Sequence, residues 1–141
     1  MMFCTYALKK QFRILHSVFK QQWGGFNDPR DKALCMSMNF INENNEKQIM
    51  VNQQIFGSLK SDDTIIAIQV HNRSDYLKIA IDALEKVKGI EKTLIVFSHS
   101  VFDPKINKLV RNIKFAKVMQ IFYPYSTQLF PHSFPGDDPN D

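Results

Sequence analysis

Polar side chains suited to ligand binding are concentrated in two short stretches of this sequence. One stretch, from Gln69 to Arg73, ends a run of β-branched residues, and the other is Ser98-His99-Ser100. The amide of Asn72 can both donate and accept hydrogen bonds, and the guanidinium of Arg73 can hold a phosphate through two parallel hydrogen bonds. His71 can either form hydrogen bonds with a polar group or, when protonated, bind a phosphate. These residue types indicate a ligand that combines a polar edge with negative charge.

Alternating strand and helix patterns from Thr64 onward place these stretches in the fold. Apolar runs of strand length, of the kind buried on both faces, predict strands at Thr64–Val70, Thr93–Ser98 and Lys117–Tyr123. Helices are predicted to begin with Ser74 as N-cap and with Pro104 as the first residue after Asp103. The β-α-β-α-β order with short connections predicts a parallel sheet, half of a doubly wound α/β fold.

The parallel order predicts where the polar groups meet. Carboxyl ends of parallel strands share one edge of the sheet, and open α/β sheets bind their ligands there. We therefore expect residues 71–73, residues 98–100, Ser126 and Gln128 to converge on one cleft.

The first 60 residues are less patterned, and we predict that they form a poorly defined, stem-like region before a domain at 61–141. Leu8, Phe12 and Leu15 belong to an apolar stripe that predicts a basic amphipathic helix from about Thr5 to Gln22, either peripheral or at a membrane surface. The Asn- and Glu-rich stretch Asn39–Lys47 predicts a solvated loop. Ile49–Leu59 fits a short helix or a strand.

Several classes of function are disfavoured by the sequence. There is no G-x-G-x-x-G motif, Walker loop or G-x-S-x-G elbow, and Ser98, His99 and Ser100 are adjacent, so their spacing does not make a nucleophile–base pair. The formal charge of +4 is spread along the chain, so we expect no nucleic-acid partner. Cys4 and Cys35 do not form a metal motif, and the sequence does not decide whether they form a disulfide.

A family resemblance adds to this interpretation. The chain resembles the N-acetylglucosaminyltransferase II family from about Asn39 onward, most strongly after Ile65. The matching motifs, in order and spacing, are Gln69–Arg73, Tyr76-Leu77, Gly89-Ile90, Phe97–His99, Ile106-Asn107 with Leu109, Gln120–Pro124, Gln128–Pro131, Phe134–Gly136 and Asp138-Pro139.

The resemblance implies a GT-A glycosyltransferase of the Golgi membrane, lumenal side, of which this chain holds the Rossmann-like nucleotide-binding half. Such an enzyme transfers N-acetylglucosamine from UDP-N-acetylglucosamine, with inversion, to the 2-hydroxyl of the α-1,6-arm mannose of N-glycans on glycoproteins. A divalent ion, normally Mn²⁺, assists the departure of UDP. The family's nucleotide-sugar site corresponds here to Gln69, Val70, His71, Asn72 and Arg73.

Two departures from the family affect this expectation. Ser100 stands where the family has an Asp that contacts the donor, and loss of a charged acceptor is expected to weaken donor binding by about 1 to 3 kcal/mol. The family's metal motif, catalytic base and acceptor pocket lie downstream of Asp141, and its signal anchor is not seen here. We therefore expect a fragment without catalytic residues or metal ligands of its own, or alternatively an inactive nucleotide-binding module or a truncated product. The aspartates of 137–141 are expected to be solvated loop.

Overall fold

The computed structural model describes residues 29–123 together with Ser126 and Gln128. The predicted helix at Thr5–Gln22 and the aspartates of 137–141 lie outside the described residues. The elements in chain order are α1 (Pro29–Lys47), β1 (Met50–Val51), α2 (Gln53–Phe56), β2 (Ile65–Val70), α3 (Ser74–Leu84), a 3₁₀ turn (Ile90–Lys92), β3 (Leu94–His99), α4 (Pro104–Arg111) and β4 (Lys117–Phe122).

The four strands form one mixed sheet in the order β1-β4-β3-β2. Strands β2, β3 and β4 are parallel, with Ile66, Ile95 and Val118 side by side in register. The short strand β1 pairs antiparallel with β4, Met50 opposite Met119. The predicted β-α-β-α-β order and its parallel pairing are therefore confirmed, and the stretch Ile49–Leu59 contains both a strand and a helix.

The hydrophobic core covers one face of the three parallel strands. Side chains alternate between the faces of a strand, so the register places Val70, Ile95, Phe97 and Val118 on the same face. Helices α3 and α4, the 3₁₀ turn and the residues after α4 add further apolar side chains to this cluster, among them Leu77, Ile90, Ile106, Val110 and Ile113. One sheet face covered by two crossover helices is the layered arrangement that a βαβ repeat dictates.

The prediction that β2 is buried on both faces is wrong. Ile65, Ala67 and Gln69 are exposed, while Ile66 and Ile68 pack against the core. Strand β2 has a strand neighbour only on its β3 side in the described sheet, and its second face is open. The β-branched run of the sequence cannot tell an edge strand from a central one.

The prediction of a solvated loop at Asn39–Lys47 is also wrong, because this stretch is the second half of α1. Asn45 pairs with the main chain of Phe122 at the end of β4. Its Oδ1 accepts from the Phe122 N–H at 2.7 Å, and its Nδ2 donates to the Phe122 carbonyl at 2.8 Å. Ile41 is buried on the same helix. These tertiary contacts outweigh the low helix propensity of asparagine.

The two predicted helix starts have different outcomes. Asp103 caps α4 as predicted, accepting from the N–H groups of Lys105 and Ile106 at 2.7 and 3.1 Å, with Pro104 following it. Ser74 is not a cap. Helix α3 begins at Ser74 itself, because the carbonyl of Arg73 accepts the bond from the Leu77 N–H, and the Arg73 side chain makes no capping bond.

Asn52 connects the end of β1 to the loop between α4 and β4. It is buried in a left-handed conformation (φ 65°), which asparagine tolerates better than most residues. Its Nδ2 donates to the carbonyls of Ile113 and Ala116, both at 2.8 Å. By compactness the chain divides into Met1–Asn39 and Phe40–Asp141, and the second unit holds the whole sheet. The domain boundary that we place after residue 60 stays a prediction.

Candidate functional site

The carboxyl edge of β2 and β3 brings three of the predicted site residues together. The N–H of Ser100 donates to the carbonyl of Val70 at 3.0 Å, which extends the strand pairing by one residue. The Ser100 hydroxyl lies 2.9 Å from His71 Nδ1 and 3.3 Å from the same carbonyl. Ser100 is half-buried and His71 is exposed. A polar corner therefore forms where the sequence predicts a ligand site.

Arg73 lies next to this corner at the start of α3. Its guanidinium carbon is 5.6 Å from the centre of the Tyr76 ring, a cation–π distance. The positive end of the helix dipole and the unpaired N–H groups of a first helical turn favour an anion at the same place. Arg73 and the helix start can therefore act together on a phosphate.

The side chains of Gln69, Val70 and Asn72 stand apart from the polar corner. Gln69 and Asn72 are exposed, and among the described residues neither side chain forms a hydrogen bond with His71, Arg73 or Ser100. The Val70 side chain is a member of the hydrophobic core, so only its carbonyl reaches the polar corner. Their assignment as ligand-binding residues stays a prediction.

The expectation that His99 faces the cleft is wrong. His99 is 1% exposed and stacks on Phe122, its register partner, with ring centroids 4.6 Å apart. Strand alternation places it on the core face, where its Nε2 lies 3.0 Å from Gln120 Nε2. Burial lowers the pKa of the His99 imidazole to about 4, so the ring is neutral at neutral pH. In the described part of the chain its Nδ1 has no hydrogen-bond partner.

A buried amide that sequence reasoning missed completes this polar cluster. Asn107 Oδ1 accepts from Gln120 Nε2 at 3.3 Å, and both side chains are buried. A signal was present, since Asn107 lies three residues before the apolar Val110 and therefore shares a helix face with it. The cluster of His99, Gln120 and Asn107 is internal and holds β3, β4 and α4 together.

Gln128 also has a structural contact where the sequence predicts a site residue. Its Oε1 accepts from the Phe102 N–H at 2.7 Å and its Nε2 donates to the Phe102 carbonyl at 2.9 Å. The clamp joins the segments that follow β3 and β4. Ser126, the other predicted group after β4, is buried.

An open groove of about 370 Å³ runs along α4. Its lining includes two cationic side chains, Lys108 and Arg111. It also includes Phe40 and Phe102, whose rings pack edge to face with centroids 5.3 Å apart. None of the predicted site residues lines it. The predicted ligand residues therefore lie on an exposed sheet edge and not in this groove.

The described residues contain neither a cluster of metal ligands nor a membrane-spanning helix. Within residues 29–123, 126 and 128, no three His, Cys, Asp or Glu side chains come close enough to hold a metal ion together. The residues of that range therefore do not fit a divalent ion. Every helix in the same range is too short or too polar to cross a bilayer.

The contact between Ser100 and His71 joins the two residue types that a serine hydrolase uses as nucleophile and base. A serine nucleophile needs a base that a third group orients. Among the described residues, no side chain other than Ser100 forms a hydrogen bond with the His71 ring. The pair therefore lacks the orienting partner of a triad in the described part of the chain.

Comparison with known proteins identifies the family. The profile of N-acetylglucosaminyltransferase II (MGAT2) matches residues 38–141, which are most of the chain and include the whole second compact unit. The chain therefore belongs to the N-acetylglucosaminyltransferase II family, a family of glycosyltransferases.

Its similar relatives carry the name alpha-1,6-mannosyl-glycoprotein 2-beta-N-acetylglucosaminyltransferase. The mouse and human proteins are 38% and 37% identical over 112 residues, which are 79% of this chain and 24% of each relative. The Arabidopsis thaliana protein is 42% identical over 90 residues, 64% of this chain and 21% of the relative. The chain thus spans about a quarter of the length of the curated relatives it matches.

Proposed function

We propose that this chain forms the nucleotide-sugar-binding half of an inverting GT-A glycosyltransferase. The proposed reaction transfers N-acetylglucosamine from UDP-N-acetylglucosamine, in β-1,2 linkage, to the α-1,6-arm mannose of N-glycans during complex N-glycan synthesis. The single observation that carries the proposal is the family match across the parallel strands whose carboxyl edge holds His71, Arg73 and Ser100.

The charges at this edge suit a nucleoside diphosphate. The guanidinium of Arg73 and the first turn of α3 offer positive charge and N–H donors to the diphosphate. Asn72 and His71 offer the mixed donors and acceptors that a uracil edge or ribose hydroxyls require. Gln69 and the Val70 carbonyl are proposed to line the same subsite.

The remaining machinery is proposed to come from outside the described residues. The catalytic base, the acceptor pocket for the glycoprotein N-glycan and the ligands of the Mn²⁺ ion belong to that part of the proposal. We further propose that the protein acts at the lumenal side of the Golgi membrane.

A second candidate function is a nucleotide-binding module without catalysis, or a truncated product. It requires only the groups at the described sheet edge, namely Arg73 and the first turn of α3. Turnover separates the two candidates. UDP-N-acetylglucosamine and a defined N-glycan acceptor are supplied, with Mn²⁺, to this chain and to a version extended by the relatives' downstream sequence. Activity of the extended version supports the transferase, and its inactivity supports the module.

Nucleotide binding tests the site directly. Replacing Arg73 by alanine removes a cation that can form charge-assisted hydrogen bonds to phosphate, and each such bond contributes about 1.5 to 3 kcal/mol. We therefore expect Arg73→Ala to raise the Kd for UDP about 10- to 100-fold in isothermal titration calorimetry.

The matched control is Arg111→Ala, which removes an exposed arginine of α4 and is expected to leave this Kd within about twofold. Equal losses in the two variants would contradict a phosphate site at Arg73. Absence of any UDP binding to the unmodified chain would refute the proposed site.

A further inference from the structure

We propose that Ser100 is a positioning residue that fixes the tautomer of His71, so that the second ring nitrogen, Nε2, acts as a hydrogen-bond acceptor toward the ligand. The inference rests on the proposed nucleotide-sugar site for the identity of that ligand. The tautomer itself follows from contacts within the chain.

The Ser100 hydroxyl lies within hydrogen-bonding distance of two groups with different requirements. The Val70 carbonyl, 3.3 Å away, can only accept, so this contact uses the one proton of the hydroxyl. The Ser100 oxygen must then accept from His71 Nδ1 at 2.9 Å, which places the imidazole proton on Nδ1. The reverse arrangement, in which the hydroxyl donates to Nδ1, leaves the carbonyl contact unmade. Only the Nδ1–H tautomer satisfies both contacts.

The position of the hydroxyl is set by the main chain. The Ser100 N–H donates to the Val70 carbonyl at 3.0 Å, and the preceding carbonyl, of His99, accepts from the Tyr123 N–H at 2.8 Å. These two bonds join residues 99 and 100 to the strands on both sides of β3. The ring of the exposed His71 is therefore oriented by a fixed partner.

The assigned tautomer implies that two side chains bind different parts of the ligand. A neutral imidazole with its proton on Nδ1 has a lone pair on Nε2 and can only accept there. A diphosphate offers acceptors alone, whereas the uracil ring offers an N–H and ribose offers hydroxyls. His71 is therefore assigned to the nucleoside, and the diphosphate is left to Arg73.

Nitrogen NMR of the ¹⁵N-histidine-labelled chain tests the tautomer without any ligand. Spectra are recorded at about pH 8.5, roughly two units above the ordinary pKa of histidine, where imidazoles are neutral. The expected result is a protonated-type shift at His71 Nδ1 and an unprotonated-type shift at Nε2. In Ser100→Ala the two shifts should converge, because the ring then exchanges between tautomers, and Ser100→Thr should restore the wild-type pattern.

Ser98→Ala is the matched control, because it removes a hydroxyl from the same strand that takes no part in these contacts, and its His71 shifts should equal those of the wild type. A wild-type spectrum with the proton on Nε2 would overturn the inference. So would shifts in Ser100→Ala that equal the wild type.

UDP binding separates this inference from the proposed function. Loss of one hydrogen bond to a neutral group is expected to raise the Kd for UDP about 2- to 10-fold in Ser100→Ala, with Ser100→Thr close to wild type. If the wild-type chain binds no UDP, the proposed function fails, while the NMR pattern still decides the tautomer. If UDP binds equally well to wild type and Ser100→Ala, the positioning role is refuted and the nucleotide site stands.

Discussion

At the scale of the residue, His99 shows how one buried imidazole couples stability to pH. It lies between the ring of Phe122 and the amide of Gln120, and burial lowers its pKa from 6.5 to about 4. An unfolded chain binds a proton at this imidazole below about pH 6.5, whereas the folded chain does so only below about 4. The unfolded state therefore binds more protons between these values, and the free energy of unfolding falls as the pH drops through this window.

We predict that His99→Phe flattens the stability profile between pH 6.5 and 4. The contribution of neutral His99 to the free energy of unfolding is fully present above about pH 6.5. About 3 kcal/mol of it is lost as the pH falls to 4, since each unit of pKa difference corresponds to about 1.4 kcal/mol. Urea unfolding at several pH values measures this slope. Ile106→Val, which lowers stability at a buried site without touching the imidazole, should keep the wild-type slope. An unchanged slope in His99→Phe would contradict the buried neutral state.

At the scale of the element, an ion pair joins the starts of β2 and β4. Lys117 Nζ lies 2.7 Å from Asp63 Oδ2, and the two side chains are 3% and 13% exposed. The hydrogen bond from Lys117, together with one from the Lys60 N–H, lowers the pKa of the Asp63 carboxyl. Leu94 of β3 lies between Ile65 and Lys117 in the register, so the pair spans the amino end of the parallel sheet.

We predict that Asp63→Asn lowers the urea midpoint, because it leaves a buried ammonium without its counter-charge. Adding Lys117→Met removes that charge and should recover part of the loss, so the two substitutions should be clearly non-additive. Glu43→Gln is the control, since it breaks the exposed Lys47–Glu43 pair of α1 and should leave the midpoint nearly unchanged. Additive losses from Asp63→Asn and Lys117→Met would indicate that the pair is not coupled.

At the scale of the whole molecule, the described sheet is covered on one face and open along β2. The core cluster fills the face that carries Val70, Phe97 and Val118, whereas Ile65 of β2 is 57% exposed. An apolar strand with a strand neighbour on one side only, as β2 is in the described sheet, offers a site for pairing with another chain. We therefore expect the chain to associate through β2 as its concentration rises.

We predict opposite outcomes for two neighbouring isoleucines of β2. Ile65→Lys places a charge on the exposed face, so it should reduce concentration-dependent association in light scattering with little change in the thermal midpoint. Ile66→Lys places the same charge on the face that packs against the core and should lower the midpoint strongly. Equal effects of the two variants would contradict the one-sided burial of β2.

Much of the fold could be predicted from local pattern. The three apolar runs give β2, β3 and β4 to within about one residue, and Asp103 with Pro104 predicts the start of α4 correctly. These signals are local, because strand-forming runs and helix caps depend on neighbours within a few residues. The half of α1 after Asn39 was missed, because the Asn45 contact with Phe122 joins residues 77 positions apart.

For the candidate site, the sequence by itself determined which residues stand at the strand ends and which family the chain resembles. Only the tertiary structure decided that His99 faces the core, that His71 meets Ser100 and that Gln128 clamps Phe102. The physical reason is that strand register and the alternation of side chains set the face each residue takes, and both depend on pairing between distant segments. The order of residues along the chain therefore predicts a polar strand end, and only the paired sheet decides which of its side chains a ligand can reach.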